Sequence, residues 1–347
     1  MKISDRQIGA DAPPFVIAEM SGNHNQSLDR ALQIVDEAAR AGVAALKLQT
    51  YTADSLTMDV NSDEFLITDK ESPWSGKSLH ELYTLAHTPL EWHRPIFERA
   101  HQHGLVCFST PFDEDAVDFL ESFDVPAYKI ASFEIVHLPL IRRVATTGKP
   151  IIMSTGMASI REIAEAVEAA RSSGCQDIVL LKCTSTYPAS PRDSNIRTLP
   201  HLQSAFQCQV GISDHTLGVG VAVASVALGA TVIEKHLTID REEGGVDSAF
   251  SMEPAEMKLL VAEVNRAWSS LGSVAYGPSS GDYKSLKFRR SIYLAKDVAS
   301  GEHLTAEHLR IVRPAGGLPP SAFDLLVGRR VKSAQKRGTP TSWSLFD

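Results

Sequence analysis

The chain has 347 residues, 43% hydrophobic and 22% charged, with a formal net charge of −8. That is ordinary composition for one large folded domain plus a small one. The net acidity gives no footprint of a nucleic-acid binder, so an anionic ligand would have to be held by a local cluster of cations. The four cysteines, Cys107, Cys175, Cys183 and Cys208, show no CxxC spacing, and the opening MKISDRQIGADAPPF has no apolar core of secretory length. No stretch approaches about 18 uninterrupted apolar residues. The expectation is a cytoplasmic protein with reduced thiols and no membrane span.

In chain order, short apolar runs of strand type fall at FVIAE (15–19), ALKLQ (45–49), LVCFS (105–109), AYKIA (127–131), PIIMS (150–154), IVLLKC (178–183), QVGIS (209–213) and VIEKH (232–236). Amphipathic helical segments lie between them. SLDRALQIVDEAARAG (27–42) stops at Gly42, and SIREIAEAVEAARSSG (159–174) opens with a capping box at Ser159 and Glu162 and stops at Gly174. Eight strands alternating with helices predict a (β/α)8 TIM barrel. An open doubly wound sheet is the rival, weakened because no G-x-G-x-x-G follows the first strand. The segment 52–88, with Trp74 and Tyr83, is long for a βα loop and predicts a lid or extra wall. After about residue 275 the pattern changes: 1–275 reads as the barrel, 276–287 as a Gly/Ser/Lys-rich linker, and 288–347 as a small, mostly β domain whose thin core calls for docking.

The strand ends are polar. Glu19, Lys47, Gln49, Thr110, Lys129, Ser132, Ser154, Lys182, Ser185, Tyr187, Ser213, His215, Glu234 and His236 all stand at or just beyond one. In a barrel of this kind those ends form the mouth where chemistry sits. Lysines and hydroxyls converging there suit a phosphate or carboxylate, the lysine as a point charge and the hydroxyl as a short, directed donor. Taken singly, a strand-end serine is more often a turn or cap residue, and a lysine more often snorkels out or pairs with a carboxylate. Lys182 and Lys235 are left on that reading, with Glu234 as a partner for either. His215 and His236 end consecutive strands, so two imidazoles could share one divalent ion; two satisfied core histidines, or a single base, are the alternatives.

As a set, FVIAEMSGNHNQSLDRAL, AGVAALKLQTYTADSLT, CFSTPFDEDAVDFL, YKIASFEI, IIMSTGMAS, LKCTSTYPAS, VGISDHTLG, ALGATVIEKHLTID and RSIYLAKDVASGEHLTAEHLRIVRPAGGL resemble the sialic acid synthase family over essentially the whole chain. The resemblance implies a TIM barrel followed by an antifreeze-like (SAF) domain. It also implies condensation of phosphoenolpyruvate with an open-chain N-acetylated hexose to give a nine-carbon 2-keto acid and phosphate. YTADSLT, DEFLI, SPW, ELYTLAHTPLEWHRPIFE and TSTYP set the chain nearer the branch whose sugar is 2,4-diacetamido-2,4,6-trideoxy-L-altrose than the neuraminate branch, which carries asparagine where Ser185 stands.

Carried over by position, the resemblance puts Lys47, Thr110, Lys129, Ser132, Ser154, Ser185 and Ser213 on phosphoenolpyruvate. Gln49, Tyr187 and Asp247 would face the sugar, and Glu19 would act at the reacting carbon or its water. His215 and His236 would act catalytically through Mn2+ or Mg2+. Arg313 would reach the site of a partner subunit in a domain-swapped homodimer. Read from sequence alone, Arg313 is a surface arginine before Pro314. A neuraminate or legionaminic acid synthase, a Schiff-base pyruvate aldolase using Lys47, Lys129 or Lys182, and a non-catalytic sugar-binding barrel remain the alternatives.

Overall fold

The computed structural model describes residues 1–60, 62–69 and 74–347. Ser72 and Pro73 of the SPW motif lie outside the described residues. Two compact units make up the chain, Met1–Gly272 and Ser273–Asp347.

The first unit is a closed barrel of eight parallel strands, β1 Phe15–Glu19, β2 Ala45–Thr50, β3 Val106–Pro111, β4 Tyr128–Ile130, β5 Ile151–Ser154, β6 Ile178–Cys183, β7 Gln209–Ser213 and β8 Val232–His236, with β8 closing on β1. These are the predicted runs, each within two residues. Below their polar C-terminal ends they are mostly apolar, because helices cover their outer face and side chains fill the interior. A short hairpin, Lys2–Ile3 with Arg6–Gln7, precedes the barrel. The helix Leu28–Ala41 begins where Ser27 accepts a hydrogen bond from the Arg30 amide and ends at Gly42, whose φ of +82° favours glycine. The helix Ile160–Ser172 carries the expected box, with the Ser159 amide donating to Glu162 Oε2 at 2.7 Å.

Register decides which side chains enter the barrel. Pairing runs Glu19 with Lys47, Gln49 with Thr110, Lys129 with Ile152, Ser154 with Leu181, Cys183 with Ser213, Ser213 with Glu234, and His236 back to Glu19. Paired residues share a face, and the period is two. The inward set near the mouth is therefore Glu19, Lys47, Gln49, Thr110, Lys129, Ser154, Cys183, Ser213, Glu234 and His236. Lys182 pairs with Ile212 and Lys235 with Ala18, both on the outer face. Deeper in, Gly211 is required for close packing: a Cβ there would lie 2.2 Å from the Val232 carbonyl oxygen and 2.7 Å from Leu181 Cδ2.

The segment 52–88 folds into the helices Ala53–Leu56 and Leu79–Ala86, joined in part by a bridge between Leu66 and Ser78. Trp74 Nε1 donates to the Val246 carbonyl at 2.9 Å, and the Trp74 ring lies 6.0 Å from that of Tyr187. The segment thus forms a wall beside the loop after β8. In the second unit, β9 Ser291–Leu294 pairs antiparallel with β10 Leu309–Val312 over a small core that includes Ile292, Leu294, Leu304, Leu326 and Phe346.

Candidate active site

Seven strands contribute to one polar and charged network at the mouth. Lys47 Nζ is 2.5 Å from Glu19 Oε2, donates to Thr110 Oγ1 at 3.1 Å and lies 3.8 Å from Glu234 Oε1. Lys129 Nζ donates to Ser154 Oγ at 2.7 Å and is 3.6 Å from the same Glu234 oxygen. Gln49 Nε2 donates to Glu19 Oε1 at 3.1 Å, and Ser213 Oγ to Glu234 Oε1 at 3.3 Å. Glu19, Lys47, Lys129 and Glu234 are each at most 5% exposed. A lysine so deep is tolerated only when paired.

The ion contacts are unequal, and that sets the protonation states. Burial pushes the Glu19 carboxyl up, with Lys47 opposing and Glu234 reinforcing. Burial also works against charge on Glu234, but Lys129 and Lys47 outweigh it and hold the carboxyl low. Lys47 gives up hydration on burial, yet Glu19 and Glu234 keep its ammonium above the ordinary range. Lys129 is lowered, by burial first and by Lys47 among its neighbours. Glu19 is thus the member most ready to exchange a proton. Lys129, whose carboxylate contact is long, can turn to an incoming anion.

A second cluster lies around Gly156. Its amide donates to Ser132 Oγ at 3.2 Å, and a Cβ at this glycine would sit 2.2 Å from Ser185 Oγ and 2.7 Å from Ser132 Oγ. The missing side chain leaves two hydroxyls and an amide converging, a geometry suited to anionic oxygens. Cys183 Sγ is 3.9 Å from Ser185 Oγ and 4.0 Å from His215 Nδ1. Burial would raise this thiol, but His215, Ser132 and Lys129 bring it down to about 7.

The histidines meet on the β8 side of the mouth, their ring centroids 5.3 Å apart. Tyr187 is 4.5 Å from His215, and Phe250 is 5.0 Å from both Tyr187 and His236. Asp247 accepts a hydrogen bond from Ser21 and lies 4.0 Å from His236 Nδ1. Burial raises the Asp247 carboxyl and pushes the His236 imidazole well below its usual range, with the cationic neighbours adding to the latter.

The residues present fit a divalent ion. His236 is held neutral, and its buried Nδ1 has no hydrogen-bond partner. His215 Nδ1 donates to the Thr184 carbonyl at 2.9 Å; burial works against charge on this ring, but Cys183 and that carbonyl hold it above its ordinary range, so Nε2 takes a ligand by giving up its proton. Among the described residues no three His, Cys, Asp or Glu side chains gather around one point. Two imidazoles would therefore leave the remaining positions to water and substrate oxygen.

The NeuB family model matches residues 34–276, and the SAF domain model matches 289–347. The chain belongs to the NeuB family. It is 43% identical to a pseudaminic acid synthase of Campylobacter jejuni, over 96% of this chain and 97% of that protein. It is 37% identical to an N,N'-diacetyllegionaminic acid synthase of Legionella pneumophila, over 96% and 95%. Among solved structures, the N-acetylneuraminic acid synthetase of Leptospira borgpetersenii, crystallised with citrate, is 31% identical with a TM-score of 0.73, covering 83% of this chain and 95% of that one.

Within this NeuB chain the barrel gathers Glu19, Lys47, Gln49, Thr110, Lys129, Ser154, Ser213 and His236 on its inner face. Ser132, Ser185, Tyr187, His215 and Asp247 stand in the loops above. Arg313 is in the second unit, exposed, just after β10. One pairing read from sequence is corrected. Glu234 serves neither Lys182 nor Lys235 but points inward between Lys47 and Lys129. Lys235 instead pairs with Asp214, and Lys182 Nζ donates to the Cys183 carbonyl. Sequence reasoning listed Glu234 among the strand ends but gave it no role in the site, although it stands two positions before His236 and period two puts it on the same face. Cys183 follows from the same rule. Phe250, on a short turn after β8, had no such signal. Neither had Glu134, whose Oε2 is buried without a partner and whose carboxyl burial pushes up to about 7.

Proposed function

We propose that this protein is a pseudaminic acid synthase. It condenses phosphoenolpyruvate with 2,4-diacetamido-2,4,6-trideoxy-L-altrose and releases phosphate by C–O cleavage. The observation that carries the reading is the pair of buried ammonium groups, Lys47 and Lys129, held on one carboxylate beside two imidazoles at the same barrel mouth. The 43% identity over nearly the whole chain supports the choice of sugar.

Lys47, Lys129, Thr110, Ser154 and Ser213, with Ser132 and Ser185 around Gly156, would hold the carboxylate and phosphate oxygens. Phosphoenolpyruvate offers only acceptors, and these groups supply donors and positive charge. Asp247, Gln49 and Tyr187 would face the sugar. Carbon 3 of the enol ester attacks the aldehyde carbon, its π electrons forming the new C–C bond, and the aldehyde oxygen takes a proton. The positive charge left at carbon 2 falls near Glu19, which accepts a proton from the water that adds there. Phosphate then leaves with the C2–O electron pair as the new hydroxyl loses its proton to give the ketone. Aligning the two substrates supplies about 7–11 kcal/mol in well-oriented cases. We also propose that His215 and His236 hold Mn2+ or Mg2+, which when bound would act as a Lewis acid on the sugar aldehyde.

The decisive experiment is phosphate release from phosphoenolpyruvate with Mn2+ and a panel of N-acetylated hexoses. Turnover with the diacetamido-altrose and not with N-acetylmannosamine is expected. The reverse preference would make this a neuraminate-type synthase, and a borohydride-trapped pyruvate adduct on lysine would make it an aldolase.

We propose further that the enzyme is a cytoplasmic, domain-swapped homodimer in which Arg313 of one copy serves the other's site. Its support is an apolar rim at the mouth: Phe133, Met157 and Leu217, in the loops after β4, β5 and β7, are 59, 65 and 62% exposed, a surface that a second chain would cover. The four buried, unbridged cysteines suit a reducing compartment. Mixing Arg313→Ala with Lys129→Ala should restore part of the activity each lacks alone. No recovery in mixed dimers would place Arg313 outside the partner's chemistry.

A further inference from the structure

We infer that Lys235 and Asp214, on the outer face of the barrel, are positioning residues that fix His215 relative to His236 and so set the affinity of the two-imidazole site. The inference rests on reading those imidazoles as metal ligands. Lys235 is 1% exposed and stands between Glu234 and His236 on β8, pointing away from them. Its ammonium has three N–H groups and three acceptors: Asp214 Oδ2 at 3.0 Å, the Thr216 carbonyl at 2.6 Å and the Gly218 carbonyl at 3.1 Å.

All three acceptors lie in one loop, and they bracket His215 on both sides. Asp214 is itself oriented, its Oδ1 accepting from the Thr216 amide at 2.9 Å and its own amide donating to the Glu234 carbonyl at 3.0 Å. From the opposite side, the Ala189 amide donates to the His215 carbonyl at 3.0 Å, and the imidazole itself is tied to the Thr184 carbonyl. One strand thus carries His236 directly and, through Lys235, holds the backbone that carries the other imidazole.

An apolar pair would avoid the desolvation that a buried ion pair suffers, but the Thr216 and Gly218 carbonyls would lose their donor, so the ammonium also satisfies this loop. What an apolar pair lacks is direction. Three donors aimed at three acceptors of one short loop fix where that loop stands. Groups that orient metal ligands from behind typically change affinity 10–100-fold when removed.

The test is Mn2+ binding to the metal-free full-length protein, followed by calorimetry and by the electron paramagnetic resonance spectrum of the bound ion. Phosphoenolpyruvate binding without metal is measured alongside. Lys235→Met, and the milder Asp214→Asn, which keeps an acceptor for the Thr216 amide, should weaken Mn2+ at least tenfold and alter the spectrum. Phosphoenolpyruvate affinity should stay within twofold. Unchanged Mn2+ affinity in either folded variant overturns the inference. So does parallel loss of both ligands, or failure of both variants to fold by circular dichroism, since the pair would then be a general structural requirement. If the unaltered protein binds no Mn2+, the metal-site reading itself falls, and this inference falls with it.

Discussion

Four lysines stand on barrel strands, and register divides their fates. Lys47 and Lys129 point inward, share Glu234 and line the mouth. Lys182 and Lys235 point outward; one is half-buried against its own strand end, and the other is wholly enclosed by the loop after β7. The lesson is that distance from the strand end says little, whereas register against the neighbouring strands says nearly everything. Lys129 and Lys182 are each the last residue but one of their strands, yet one faces substrate space and the other the outer layer.

The sharpest way to break this comparison is to remove one lysine from each class. Lys47→Met leaves Glu19 and Glu234 facing each other without the ammonium between them, and the pair would then keep a proton. Loss of its positive charge from the proposed phosphoenolpyruvate site should lower kcat/KM by roughly 10³, about 4 kcal/mol of transition-state stabilisation. Lys182→Met should change kcat/KM less than about threefold, because it removes only two outer-face hydrogen bonds, to the Cys183 carbonyl and Thr184 Oγ1, worth about 1–2 kcal/mol of stability. Steady-state phosphate release measures both. Comparable losses in the two variants would erase the inner–outer distinction.

The fold and the ring of strand ends were legible because they rest on local patterns. Apolar runs of four to six residues, punctuated by helices with caps such as Ser159/Glu162 and Ser27/Gly42, are written residue by residue. Pairing was not, since it depends on register. In sequence Glu234 reads as a partner for Lys182 or for Lys235, which is next to it on the strand, while the closed barrel turns it toward Lys47 and Lys129 across strands. The N-terminal hairpin escaped notice because its strands have two residues each and no alternation, its turn carried by Ser4 at φ +54°. Phe250 and the Trp74–Val246 bond escaped because a chain reversal after β8 and a long insertion meet there, and no periodicity announces it.

A finer probe of the inner face is Gly156→Ala. The glycine has an ordinary φ, so the added methyl meets no backbone penalty, but it does meet the hydroxyls of Ser185 and Ser132 and, at 3.0 Å, the Ser132 Cβ. The hydroxyls can rotate away and the Ser132 Cβ has to shift only by a few tenths of an ångström, so the fold should hold to within about 1 kcal/mol. The cradle they form should not survive: KM for phosphoenolpyruvate should rise about tenfold, the equivalent of about 1.4 kcal/mol, with the sugar KM nearly constant. A rise in the sugar KM instead would move Ser132 and Ser185 to the other substrate.

The smallest effect belongs to the outer layer, where an ion pair does structural work alone. Asp36, on the helix Leu28–Ala41, receives Nε at 2.7 Å and Nη2 at 2.8 Å from Arg99 of the helix His93–Gln102, and His103 Nε2 at 2.7 Å. Chiefly through the Arg99 hydrogen bonds its carboxyl is held down at about 2. The folded value lies below the unfolded one, so the contribution is complete at neutral pH and fades as pH falls from the ordinary carboxylate value towards 2. Because Arg99 is 43% exposed, water and salt weaken the pair, and Asp36→Asn should cost the barrel about 1 kcal/mol at pH 7. Integrating over the two titrations, that difference should shrink to roughly half by pH 3. Urea unfolding of both proteins at the two pH values measures it. A difference that grows on acidification would mean the carboxyl is held up rather than down, and the bidentate contact could not then be what joins these two helices.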